Sequence, residues 1–226
     1  MPYHSNHNFR LTAAALFAVL LSSYLFAASA HAAEGRDISK VNGGVRVAAD
    51  ESVGEVSTVN GGIDIGSGAS ADEVETVNGG IEIDDAARVQ SVDAVNGGLR
   101  LGRSVIVQRS VETTNGGIRI GSGSEVGGSV ETVNGKIRLD NVHVGDSVIT
   151  TNGDVELSNG TVVEGDVVFE GRRRVWTRWF NFRNREPKLV VDGDAVIKGQ
   201  IRLYHEVELE IADGAQVGEI KRHYRD

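Results

Sequence analysis

The chain has no cysteine, a single methionine and two prolines, and its aromatic residues amount to 5% of 226. Without cysteine there is no disulfide, no thiolate metal site, no cysteine nucleophile and no lipid-anchoring cysteine. Basic residues are also short: 23 Lys and Arg face 32 Asp and Glu, a formal charge of −9. That balance argues against general nucleic-acid binding, which needs a basic surface to release counterions. Catalytic signatures are missing too. No Gly-x-Ser-x-Gly and no His-Glu-x-x-His occurs, and after the first 33 residues the histidines are His143, His205 and His223, none at metal-ligand spacing.

What is present reads as all-β. There are 29 glycines and many Val, Ile and Thr, with little helix signal after residue 33. Residues 1–32 read instead as a secretory signal peptide. Arg10 supplies the positive end, Leu11 to Ala28 the apolar run, and Ala30-His31-Ala32 the small-x-small cleavage site. Loss of that segment, whose one charge is Arg10, takes the formal charge from −9 to −10. An exported protein without cysteine fits a bacterial periplasmic or cell-surface location.

The dominant feature is a repeat. An asparagine returns at Asn42, Asn60, Asn78, Asn96, Asn115, Asn134 and Asn152, at spacings of 18 or 19 residues. Such a period marks a stacked architecture. With each unit numbered from the apolar residue four before asparagine, position 1 is Ile or Val and positions 5 and 6 are always Asn-Gly. Positions 8 and 10 are always Val, Ile or Leu around a charged position 9 (Arg46, Asp64, Glu82, Arg100, Arg119, Arg138 and Glu156). That alternation predicts a half-buried strand with 8 and 10 inward. Position 3, usually threonine (Thr58, Thr76, Thr113, Thr132, Thr150), is expected inward, and position 2 (Glu75, Asp93, Glu112, Glu131) outward as a solvated acidic ladder. The Asn-Gly pair is expected to turn a corner that needs positive φ.

Two folds suit this pattern. Asn-Gly between alternating apolars signals hairpins and hence an antiparallel meander. In that register Asp93, Glu112 and Glu131 face Arg100, Arg119 and Arg138, which is favourable, although Glu75 faces Glu82. A single-stranded parallel β-helix, or β-solenoid, of about 18 residues per coil instead stacks like positions on one another. Near-identity of successive units favours the solenoid, since a meander could vary freely. The repeated Val-x-Thr-Val-Asn-Gly-Gly-Ile-x-Ile resembles the adhesin-type β-solenoid domains of exported bacterial proteins, over about Ile38 to Asp166. The resemblance implies a right-handed β-helix with no established reaction.

The solenoid writing runs from 33 to 171 and resumes over 189–220, ending in a polar tail at 221–226. The resumed stretch, with Ala212-Asp213-Gly214-Ala215-Gln216-Val217-Gly218, is weakly similar to bactofilin-type polymer-forming β-helices. In all, nine or ten coils are expected, a rod on the order of 45 Å long.

Between these parts, residues 172–188 form a basic and aromatic insertion. It holds seven basic residues, one acidic residue and both tryptophans. Arg172, Arg173, Arg174, Trp176, Arg178, Trp179, Arg183 and Arg185 are the candidate binding residues. Arginine beside tryptophan suits capture of carboxylate or phosphate together with stacking on sugars. The alternative is an aromatic lid packed on the solenoid flank. Asp84-Asp85, Asp192-Gly193-Asp194 and Asp213-Gly214 are read as turns rather than calcium loops, so neither metal nor cofactor is expected.

The expected function is therefore a non-enzymatic exported scaffold or adhesion module. Its partner would be an anionic envelope polysaccharide or another envelope protein. A carbohydrate-active β-helix enzyme using paired carboxylates and a self-assembling bactofilin-like polymer are the alternatives.

Overall fold

A computed structural model describes residues 35–171 and 186–224. Over these residues the chain is an all-β parallel solenoid of about nine turns, with about 19 residues per turn and no helix. Two sheets form it, one of sixteen strands and one of nine. The nine-stranded sheet stacks the position-8-to-10 strands in chain order, from Val45–Val47 through Leu99–Leu101 to Glu208–Ile211. At the parallel ladder spacing its first and last rungs stand on the order of 40 Å apart.

Like pairs with like. Asn42, Asn60, Asn78 and Asn96 are in register, as are Leu99, Ile118 and Ile137. The antiparallel alternative is thereby excluded: Asp93 pairs with Glu75 and Glu112 and does not face Arg100. The reason is visible at the Asn-Gly corner, whose amides bond outward to the next coil. Gly61 N–H donates to Asn78 O at 2.9 Å and Ile63 N–H to Gly80 O at 3.0 Å, so the chain turns without folding back on itself.

In the early coils positions 15 to 5 form one bent strand, as in Ser70–Asn78 and Arg88–Asn96. In the next coil the stretch divides into Ile106–Val107 and Val111–Asn115. Val89 pairs with Val107 and Val92 with Val111, offsets of 18 and 19, so the extra residue of this unit falls between the two pieces. The sixteen-stranded sheet forks there.

The core is a column of inward positions. Position 1 (Val56, Val74, Val92, Val111, Val130), positions 8 and 10, and a late valine (Val89, Val107, Val126, Val144) are all buried. Each fully buried Val, Ile or Leu contributes roughly 1.5–3 kcal/mol, and the contribution recurs in every coil. The threonine column points inward as expected, and its hydroxyls have a use. Thr58, Thr76, Thr113 and Thr132 donate Oγ1 to the position-6 glycine carbonyl of the preceding coil, at 2.9–3.2 Å. No buried side-chain polar atom among the described residues lacks a partner.

The Asn-Gly corner has a different cause from the one expected. None of the seven asparagines has positive φ, and only Gly43 and Gly135 of the seven position-6 glycines fall in the left-handed range. The left-handed residues, Asp50, Gly68, Ala86, Ser104 and Gly123 among them, lie in the turn between positions 10 and 14. Glycine at position 6 is a packing requirement. A Cβ on Gly61, Gly79, Gly97, Gly116, Gly135 or Gly153 would overlap the backbone of the glycine one coil back. At position 7 the nearest atom to such a Cβ stands 3.0–3.3 Å away at Gly62, Gly80, Gly98 and Gly117, and Lys136 and Asp154 occupy that position in later coils.

The two glycines of one corner should therefore respond differently to a methyl group. Gly97→Ala is expected to cost about 1–3 kcal/mol by overpacking and Gly98→Ala at most about 0.5 kcal/mol. Urea midpoints of the two variants check this, and equal losses would contradict the packing account.

Candidate functional site

Stacking turns each outward position into a column, and three polar columns are candidates for function. The asparagines make the first. Each Nδ2 donates to Oδ1 of the asparagine one coil back, at 2.9–3.1 Å, in six consecutive bonds from Asn60 to Asn152. The amides satisfy one another along the column, so the ladder has an architectural use and its members are not convergent on a ligand.

The second column is acidic: Glu75, Asp93, Glu112 and Glu131 occupy successive rungs. It is not the solvated ladder expected. Glu75 is only 6% exposed, although it alternates with inward-pointing Val74 and Thr76. Burial raises its pKa to about 7, helped by the neighbouring charges of Glu73 and Glu55 and opposed by Arg109. Asp93 is raised to about 8, first by burial and then by Glu112, Glu75 and Glu73, again against Arg109. Arg109 comes from two coils on and pairs with Glu73 at 2.5 Å. Ser129 Oγ donates to Glu131 Oε1 at 2.6 Å. Carboxylates one rung apart cannot both ionise cheaply, so Glu75 and Asp93 are pushed toward the protonated form near neutral pH. No group of these carboxylates, or of any described His, Asp or Glu, has a metal-holding arrangement.

The third column is position 9 of the nine-stranded sheet, running Arg46, Asp64, Glu82, Arg100, Arg119, Arg138, Glu156. Opposite charges pair where they meet. Arg46 bonds Asp64 at 2.9 Å, Arg100 reaches Glu82 at 3.6 Å, and Glu156 takes Arg138 at 3.2 Å together with Lys136. Both cations draw the Glu156 carboxyl below its ordinary range, the Lys136 bond first. Arg119, between two arginines, has no carboxylate partner among the described residues. A shallow groove of about 510 Å³ follows this column from Asp64 to Arg138, with the position-7 residues Gly80, Gly98, Gly117 and Lys136 beside it.

The eight insertion residues from Arg172 to Arg185 proposed for binding lie outside the described residues. Their points of departure and return do not. Val167–Phe169 pairs in register with Val148–Thr150, and Lys188–Val191 with the strand after the preceding Asn-Gly corner. The described chain thus leaves the stack at Gly171 and returns at Glu186, one coil beyond Asn152. His205, one coil further, bonds back to Thr151 O through Nε2 at 2.9 Å and meets Phe169 edge-on at 6.4 Å. His143 is held by Glu164 at 3.1 Å and His223 stacks on Tyr204 at 4.6 Å. Asp85 lies in a turn and reaches the next coil, accepting Arg103 N–H at 2.7 Å and pairing with the Arg103 guanidinium.

Sequence reasoning reached the charged position-9 column and the acidic column but not the groove or the burial of Glu75. Comparison with family models, curated proteins and solved structures finds no match for this chain.

The acidic ladder makes stability depend on pH in a defined direction. Native pKa values near 7 and 8 lie above the ordinary 4.5 and 3.8, so the folded state holds more protons between about pH 4 and 8 and loses stability as pH rises. Asp93→Asn is expected to gain about 1–3 kcal/mol at about pH 8.5 and within about 0.5 kcal/mol at about pH 4. Thermal melts at both pH values check this. An equal shift at the two would show that Asp93 is ordinarily solvated.

Proposed function

We propose that the protein is an exported, non-enzymatic scaffold or adhesion module of the bacterial cell envelope, presenting its basic and aromatic insertion from a rigid rod. The observation that carries the reading is that Val167–Phe169 before the insertion and Lys188–Val191 after it both stay in register with the coil below, and the stack continues to Ile220–Arg222. A segment with six arginines and two tryptophans is held at both ends by a parallel sheet. The rest of the chain is acidic, which makes that segment an island of opposite charge. Anionic envelope polysaccharide is the partner chemistry that arginine forks and tryptophan faces suit.

Two further features support the reading. Residues 1–32 have the composition of a cleavable export signal, which puts the protein in the periplasm or at the cell surface. The repeat is similar to adhesin-type β-solenoids, a family in which a rod and not a reaction is the common property. On the enzyme side, the four-acid column lies on the sixteen-stranded sheet, away from the groove, and the groove's own carboxylates, Asp64 and Glu82, are held by Arg46 and Arg100. A glycosidase pair flanks the bond it cuts.

Trp176→Ala combined with Trp179→Ala is expected to remove most binding, on a glycan array, to those anionic bacterial glycans that carry no linear uronate chain, with the melting temperature within about 2 °C of the parent. Unchanged array signal would exclude the insertion as the contact surface. Sustained release of sugar products by the parent protein would overturn the non-enzymatic reading.

A further inference from the structure

We propose that the groove along the nine-stranded sheet is a second binding site, taking one stretch of a linear acidic polysaccharide with a carboxylate on Arg119 and the chain running past Arg100 and Arg138. The site rests on the reading of the protein as an envelope-binding module but uses none of the insertion.

The charge pattern is the first support. Of the seven position-9 residues, three consecutive ones are arginine, and Lys136 adds a cation beside them. Like charges on adjacent rungs are unfavourable in a sheet, and the flanking residues relieve only the ends: Glu82 takes Arg100 and Glu156 takes Arg138. Arg119 in the middle has neither. An anion lying along the column would satisfy it. Elsewhere on the same column, opposite charges meet and pair, as Arg46 and Asp64 do.

The groove floor is the second support and is independent of charge. Gly80, Gly98 and Gly117 leave it free of side chains. Position 7 admits larger residues, since Lys136 and Asp154 stand there in later coils, so the backbone alone does not require glycine. What the glycines do is leave a track on which a flat ring can lie against the backbone, edge to the arginine column.

The ligand class follows from the spacing and the ends. Rungs repeat at about 4.8 Å, so Arg100 and Arg138 are about 10 Å apart, close to the advance of two rings in an extended glycan. A carboxylate presented toward the column meets Arg119 in the bidentate geometry arginine favours. At the end nearer the amino terminus Asp64 and Glu82 line the same groove. They offer acceptors for sugar hydroxyls and would repel a polyphosphate, whose charges are more closely spaced than one per ring.

The test uses the whole mature chain titrated at low salt (about 50 mM) with polygalacturonate, neutral dextran and long-chain polyphosphate. Polygalacturonate is expected to bind. Arg119→Glu and, separately, Gly98→Asp are each expected to weaken it about tenfold or more, with Trp176→Ala/Trp179→Ala changing it less than about threefold. Arg119→Glu places an acid between two arginines, so its melting temperature should be no lower than the parent's, and a loss of binding is then not a loss of fold. Unchanged affinity in both groove variants would overturn the site. If the tryptophan variant alone lost binding, the groove would fall while the envelope-binding reading stood. Failure of the parent to bind polygalacturonate, or a preference for polyphosphate, would overturn the ligand assignment and with it this site; the glycan array with the tryptophan variant then decides the broader reading separately.

Discussion

Parallel stacking at one ladder spacing is the constraint on which the rest of this protein depends. Each coil lies on a copy of itself, so a residue's nearest neighbours across the ladder are the same position one coil before and one coil after. An inward valine meets valine, and the core fills without any long-range fitting of unlike shapes. An outward amide meets an amide, and the asparagines bond in an unbroken line. The glycine after each asparagine is fixed by the same logic, because its neighbour is backbone at a distance no Cβ tolerates.

The constraint is costly for charge. A repeated acid or base becomes a column of like charges, which must be neutralised, protonated or separated. The chain does each of these somewhere. Along position 9 it sets opposite signs on some adjacent rungs, and Arg46 with Asp64 and Glu82 with Arg100 form pairs across them. Along position 2 it holds four acids together, and burial with mutual repulsion pushes Glu75 and Asp93 toward the protonated form at neutral pH. In the middle of position 9 three arginines stand on consecutive rungs beside an open glycine track; Arg100 and Arg138 have Glu82 and Glu156, and Arg119 between them has neither. Arginine cannot discharge by losing a proton, so water, salt and the flanking carboxylates carry that column in the free protein, and an anion bound along it would add to them.

How much of this was legible in the sequence follows from which neighbours a feature needs. The alternation of Ile118, Arg119 and Ile120 is local and gave the strand and its two faces at once. Phase placed the threonines inward in the same way, and the stack confirms Thr58, Thr76 and Thr113 as buried. The corner was misjudged because Asn-Gly has a familiar local meaning, left-handed φ, whereas the cause here lies one coil away in Gly79 for Gly97 and in Asn78 for Asn96. Glu75 was placed in solvent by the same alternation rule that succeeded elsewhere. Its burial involves Glu55, Glu73 and Arg109, of which Arg109 is 34 residues distant and could not be assigned by periodicity. The groove is a property of five coils together and has no signature within any single repeat.

The account stands most directly on Arg119 being a repelled charge in the free protein. A double-mutant cycle at low ionic strength, pairing Arg119→Gln with Arg100→Gln, measures this as a coupling free energy from denaturant unfolding. The expected result is that Arg119→Gln stabilises the parent by about 0.2–1 kcal/mol and that the gain shrinks once Arg100 is neutral. Destabilisation by Arg119→Gln in the parent, unaffected by the state of Arg100, would mean that the column is already balanced and that no anion is needed to settle it.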